Sequence, residues 1–336
     1  MTRFAILARA WGAAAILIAA IAGTSLAGCG GKPPPLAASH RAVEPRWQDV
    51  VDTIPELLVI VRPQAMRQDR VYGPLLRRAI EAARDHIKVV AAIHPLETLE
   101  DAEEVVIGYH PATQDLPEEV LMAERGVHAD VDPGKLVDDD GQPLWAPGPS
   151  GPVRELVRER DSGGHPVDAS LFELPGRTWV VVTGGARVRA RDAFAHPVHR
   201  PALDLDPTAL ALVRIDGPSL VARVRGLQDL GALGAVGRRL RSVTFTLPPG
   251  ADGAVKATLG YADEDAAAFA EVTLHQVVDA VVRSKKERLA WLGSAKVERP
   301  DKRVVITAPL PPSLVASLMT AGAAPVDLDI APAPGP

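Results

Sequence analysis

Pro55-Glu56-Leu57-Leu58-Val59-Ile60-Val61-Arg62 decides how this chain is read, because its plan returns as Pro207-Thr208-Ala209-Leu210-Ala211-Leu212-Val213-Arg214, at an offset of 152. Pro, Leu, Val and Arg stand at the same places in both. A short apolar run bounded in this way predicts a strand buried on both faces. Near the end of each unit, Val180-Val181-Val182-Thr183 is answered by Val304-Val305-Ile306-Thr307 at an offset of 124. The pattern predicts two copies of one plan. The first copy is longer by the difference of the offsets, 28 residues. The extra length falls around its first helix and in the Gly/Pro-rich stretch from Asp138-Asp139-Asp140 to Pro152.

Working outward, the order of elements agrees between the copies. In the first, the strand over 57–62 precedes a helix over 72–87, with Leu76, Ile80, Ala83 and Ile87 at helical spacing. Strands are predicted over 104–109, 119–124, 154–158, 171–174 and 178–183, the last two joined by the turn dipeptide Pro175-Gly176. In the second copy a strand over 210–215 leads into a helical run through Leu220, Val224 and Leu227. Val243-Thr244-Phe245-Thr246-Leu247 and the stretch from Val255 to Tyr261 alternate strictly around a Pro/Gly-rich turn, the strongest hairpin signal in the chain. A long helix over 263–283, a hairpin over 297–307 and a closing helix over 312–319 complete it. Helices among antiparallel hairpins predict an α+β fold of two related domains, over 51–200 and 201–320, each a mainly antiparallel sheet with helices on one face.

Composition bounds the function classes. Hydrophobic residues make up 47%, charged residues 24% and aromatics 4%, a globular balance. The formal net charge is -5. An acidic chain is a poor match for nucleic acid, so no such partner is expected. Cys29 is the only cysteine, which leaves no disulfide within the chain.

The first residues have the order of an export signal: Arg3 and Arg9, then an apolar run from Trp11 to Ala22, then small residues. Leu26-Ala27-Gly28-Cys29 resembles the lipobox of bacterial lipoprotein precursors. The resemblance implies recognition by the signal peptidase at Leu26, Ala27 and Gly28, removal of residues 1–28, and covalent diacylglycerol and N-acyl lipid on Cys29. It implies no other cofactor. Losing Arg3 and Arg9 and no acid takes the charge from -5 to -7. Two acyl chains meet the demand for more than one membrane signal. Gly30, where enteric-type lipoproteins retained at the inner membrane carry Asp, favours the outer membrane. Residues 29–50 are expected to form a Pro-rich tether, in which the stretch from Gly30 to Pro45, with Pro33-Pro34-Pro35, is extended and holds the body ~50 Å from the bilayer at about 3.1 Å per residue. The Ala/Pro tail over 321–336 is expected to stay unstructured. The mature part is similar to no characterised family; its duplicated plan loosely resembles uncharacterised lipoproteins and implies no activity.

Candidate chemistry is sparse. His196, His199, Asp204 and Asp206 are ligand types for zinc, but Pro197 and Pro201 bracket His199, so an exposed linker is the expectation. His128, Asp130, Asp132 and Asp138-Asp139-Asp140 lack the glycine and closing glutamate of a calcium loop. Ser162 and His165 make a serine–histidine pair in sequence only, without a Gly-x-Ser-x-Gly elbow. Gly250 to Lys256 has the wrong glycine spacing for a phosphate loop. Arg187, Arg189 and Arg191, and Arg238, Arg239 and Arg241, form two basic clusters that could meet anionic headgroups or a glycan. The second cluster is expected at a helix C-terminus, where the dipole favours cations. These features favour a non-enzymatic envelope lipoprotein that binds a protein partner or supports an envelope assembly. A lipid- or glycan-binding lipoprotein, and a hydrolase with its site between Ser162 and His199, are the alternatives.

Overall fold

Twelve strands, all paired antiparallel, form one sheet in the computed structural model. The structure describes residues 44–50, 56–69, 72–73, 76, 102–110, 119–126, 132–137, 141–160, 166–197, 206, 208–223, 236–237, 239–249, 254–284 and 293–309. The strands are β1 (Leu57–Val61), β2 (Glu104–His110), β3 (Glu119–Arg125), β4 (Ala146–Pro147), β5 (Arg154–Arg160), β6 (Pro166–Leu174), β7 (Thr178–Thr183), β8 (Ala211–Asp216), β9 (Leu240–Leu247), β10 (Ala254–Tyr261), β11 (Lys296–Glu298) and β12 (Arg303–Pro309). Their spatial order is β11-β12-β10-β9-β8-β1-β2-β3-β7-β6-β5-β4. Four α-helices with both ends described accompany them, α1 (Pro63–Gln68), α2 (Ala186–Ala195), α3 (Gly217–Arg223) and α4 (Glu264–Ser284), and Tyr72, Gly73, Leu76 and Val236 are helical as well.

The two matching stretches that open the units meet at the centre of this sheet. β1 pairs with β8, and Ile60 lies directly opposite Leu212, its counterpart at the offset of 152. On either side of this seam the order is the same: β1-β2-β3-β7-β6 one way, β8-β9-β10-β12-β11 the other. Two sheets, one for each unit, were the expectation; the structure instead joins both into one. The physical reason is in β1 itself. Leu58, Val59, Ile60 and Val61 are all buried, so both faces and both edges of this strand need cover. Only an interior place in a sheet supplies it.

Register explains the layers. Directly opposed residues share a face, and one row runs Leu156, Leu171, Val181, Met122, Ile107, Val59, Val213, Phe245, Ala257, Ile306, Val297, apolar from β5 to β11. On the opposite face the row Phe172, Val180, Ala123, Val106, Ile60, Leu212 is apolar as far as the seam. Beyond it the same row continues as Thr246, Lys256, Thr307 and Lys296.

The apolar rows collect helices and loops accordingly. Leu220 of α3 and Ala267, Ala270 and Leu274 of α4 pack on Val243, Phe245, Leu259 and Ile306. Met66, Tyr72 and Leu76 cover Val59 and Val61 at the centre. Leu144 and Trp145 cover Met122, Leu171 and Val181. Across the sheet, α2 and a 3-10 turn over Trp47–Val50 cover Ile60, Val106, Phe172, Val180 and Val182. In the second unit the described helices α3 and α4 lie on one face, whereas in the first α1 and α2 lie on opposite faces, because there both faces of the sheet are apolar.

Several expectations shift in detail. The end of the expected tether, Trp47 and Val50, is buried in the core. The match between Val180–Thr183 and Val304–Thr307 falls on corresponding strands but opposite faces. Val180 and Val182 face α2, whereas Val304 and Ile306 face α4. A two-fold axis at an antiparallel seam preserves faces, so this match is of strand type only. The predicted helix over 72–87 is described at Tyr72, Gly73 and Leu76. The closing helix, the tail, the leader and most of the tether lie outside the described residues. So does the turn at 250–253, although the hairpin it joins is present, with Phe245 opposite Ala257. Gly217, where β8 becomes α3, touches β9 so closely that a Cβ there would meet the Leu240 carbonyl oxygen at 2.4 Å.

Candidate functional site

The first basic cluster is the best-formed polar constellation among the described residues. Gly184, with φ 63°, turns the chain out of β7, and α2 begins two residues later. Ala186, Ala190 and Phe194 recur at every fourth place and are buried, which fixes the helix on the sheet by a narrow stripe. Phe194 meets Phe172 edge to face, with centroids 5.1 Å apart and planes at 68°.

Around that stripe each arginine of α2 has an acidic partner on a strand. Arg191 donates from Nε and Nη2 to the two oxygens of Glu155 on β5, both at 2.7 Å. Arg189 donates to Glu119 on β3 at 2.5 Å. Arg187 pairs with Asp168 on β6 and donates from Nε to Ser170 Oγ at 2.9 Å. Ser170 in turn donates to Glu155 at 2.7 Å. The side chain of Glu155 is 2% exposed and that of Glu119 is 9% exposed. Burial pushes the Glu155 carboxyl up, but the hydrogen bonds from Arg191 and Ser170 outweigh it and hold it below the usual carboxylate range. The hydrogen bond to Glu155 in turn raises Arg191. Fork-to-carboxylate pairing of this kind is the strong form of the ion pair.

This arrangement redirects the expectation of an anion site. The guanidinium groups of Arg187, Arg189 and Arg191 face the protein's own carboxylates. Beside them, Pro149, Pro152, Val153, Phe172 and Phe194 line a shallow, solvent-open cleft. The acids were missed in the sequence because they stand 19 to 70 residues before the arginines and alternate with apolar residues that already explain the strands.

In the second cluster, Val236 is helical and Gly237 a turn, so Arg239 comes just after a helix end. Arg239 pairs with Asp263 at 2.9 Å, and Arg241 stands on β9. Asp263 also accepts from the backbone of Ala266 at 2.8 Å, which caps α4 and lowers its pKa, with Arg239 adding to the effect. Arg238 lies outside the described residues.

A third constellation closes the seam. Arg62, which follows β1, donates to the carbonyl oxygens of Ala209 and of Asp206, the latter at 3.4 Å, and to Glu104 at 3.3 Å. Asp206 accepts from the Thr208 hydroxyl at 2.6 Å and backbone N–H at 2.9 Å, which lower its pKa in that order. It thus shapes the turn into β8. His196 caps the end of α2, exposed, with Nδ1 3.3 Å from Asp192. His199, Asp204, Ser162 and His165 lie outside the described residues, as do Cys29 and Leu26, Ala27 and Gly28. No group of three His, Cys, Asp or Glu gathers to hold a metal among the described residues. No described helix is long and apolar enough to cross a membrane.

No family model matches this chain, and no curated protein does. Among solved structures it is similar to crystal form I of TP0453, with a TM-score of 0.46 and 14% sequence identity over 84% of this chain and 98% of that one.

Proposed function

We propose that this chain is a membrane-anchored envelope lipoprotein whose body binds a protein partner or supports an envelope assembly, without an enzymatic reaction of its own. Leu26-Ala27-Gly28-Cys29 carries the reading: the sole thiol stands behind a branched apolar residue and two small ones, after an apolar run. On this reading residues 1–28 are removed, Cys29 takes diacylglycerol and N-acyl lipid, and Gly30 directs the product to the outer membrane. The folded part, built on two related units, is what the anchor displays.

Labelling with palmitate tests the anchor. Wild type incorporates label and Cys29→Ala does not; equal incorporation removes the reading. Cross-linking in intact cells then tests the body, and recovery of monomer and lipid alone, without a reproducible protein partner, counts against the second half.

A further inference from the structure

We infer that the sheet edge at β11 is a pairing surface for a second copy of this chain, which joins two sheets about a two-fold axis at Val297. The inference goes beyond the reading above and depends neither on the anchor nor on any other partner.

The backbone sets the edge. β11 ends the strand order and is paired with β12 alone. The Arg303 backbone N–H donates to the Pro300 carbonyl oxygen at 3.0 Å, so these two form a hydrogen-bonded pair of the ladder. Such pairs alternate along antiparallel strands, which makes Glu298 with Val305 and Lys296 with Thr307 the next two. The N–H and C=O of Val297 therefore point away from β12, to the open side, and an unpaired edge of this kind is a template for another strand. The β4 edge differs. Gly148 donates to the Glu155 carbonyl oxygen at 2.8 Å, so by the same alternation Pro147 and Pro149 hold the outward places there, and neither has an N–H to give. A sheet extended only at β11 yields a closed pair of chains rather than a filament.

Side chains choose the partner. Lys296-Val297-Glu298 is its own complement: with the two copies of Val297 opposite each other in an antiparallel pair, Lys296 lies opposite the partner's Glu298 and Glu298 opposite the partner's Lys296. Both residues are exposed. Lysine on an edge strand ordinarily deters pairing; here each lysine meets a glutamate. On the other face Val297 ends the apolar row that begins at Leu156, and the partner's Val297 carries that row across the axis. Val282 of α4, 51% exposed, stands beside Gly293, just before β11. In this register Gly293 lies opposite the partner's Asp301, so the partner's turn before β12 covers Val282.

The test uses the mature chain over 29–336, with Cys29→Ser, followed by sedimentation velocity over a concentration series. This parent is expected to show a reversible equilibrium of monomer and dimer without larger species. Lys296→Glu or Glu298→Lys alone sets like charges opposite each other at both ends of the contact, and each is expected to weaken the dimer at least ~10-fold. Mixing the two single variants restores opposite charges in a heterodimer, and Lys296→Glu with Glu298→Lys restores them within one chain. Both are expected to recover the association of the parent, which separates loss of pairing from loss of folding, since mixing does not refold a chain. A parent that is monomeric at every concentration, growth beyond the dimer, single variants that associate as tightly as the parent, or a mixture that stays monomeric would each overturn the proposal. Failure here leaves the partner-binding reading to be judged by cross-linking, which does not depend on β11.

Discussion

Arg62 is where the two halves of the sheet are tied. Its side chain is 18% exposed and that of Glu104 is 11% exposed. The guanidinium holds the carbonyl oxygens of Asp206 and Ala209, while the Arg62 backbone N–H donates to Leu210 at 2.8 Å. Charge-assisted hydrogen bonds contribute about 1.5–3 kcal/mol each. The Ala209 contact counts in full and the two longer ones, at 3.3 and 3.4 Å, for a fraction, so Arg62→Ala should cost about 3 kcal/mol. Arg62→Lys keeps the charge but cannot bridge three acceptors, and should cost about half of that. Urea unfolding of a form starting at residue 44, with the slope unchanged and the midpoint lowered, measures both. Hydrogen exchange should show the Leu210 amide, bonded to Leu247 at 2.8 Å, losing protection earlier in Arg62→Ala. A loss under about 0.5 kcal/mol, the range of an ordinary surface substitution, would refute the idea that Arg62 closes the seam.

Other consequences are more local. Phe245→Ala, on the row that is apolar across the sheet, should cost about 3–5 kcal/mol by thermal unfolding. Thr258→Ala on the opposite face, in the half where that face is polar, should cost under about 1 kcal/mol; equal losses would contradict the two-faced description. Gly217→Ala should destabilise by about 1–3 kcal/mol, because the added methyl meets backbone at 2.4 Å, and near-neutrality would mean that β9 yields. Glu155 ionises below the usual range in the folded state. Its contribution is therefore present above the unfolded carboxyl pKa of about 4.3 and is lost as pH falls through the lower folded value. Glu155→Gln should flatten the acid limb of the stability curve, and an unchanged limb would show that the pair contributes nothing to it.

The strands were legible because they carry strong patterns. β9 and β10 alternate, and β1 is a continuous apolar run of the sort found inside sheets. That run even held the clue to the seam, since a strand apolar on both faces has no place at a domain's edge. Which strand would lie beside it was not legible, because pairing partners are chosen by edges and register rather than by letters. α2 was invisible for a different reason. Ala186-Arg187-Val188-Arg189-Ala190-Arg191 has no broad apolar face, and a helix fixed by ion pairs to distant strands leaves no periodic signal. Of the histidine-centred ligand candidates, His196 stands exposed beside Asp192 and Asp206 is engaged in its own turn, while His199 and Asp204 lie outside the described residues.

Intact-mass analysis of the protein extracted from membranes decides whether Cys29 is lipidated. The expected chain begins at Cys29, lacks residues 1–28 and carries the mass of a diacylglyceryl thioether and an N-acyl group. A chain that retains residues before Cys29, or one with an unmodified thiol there, would contradict it.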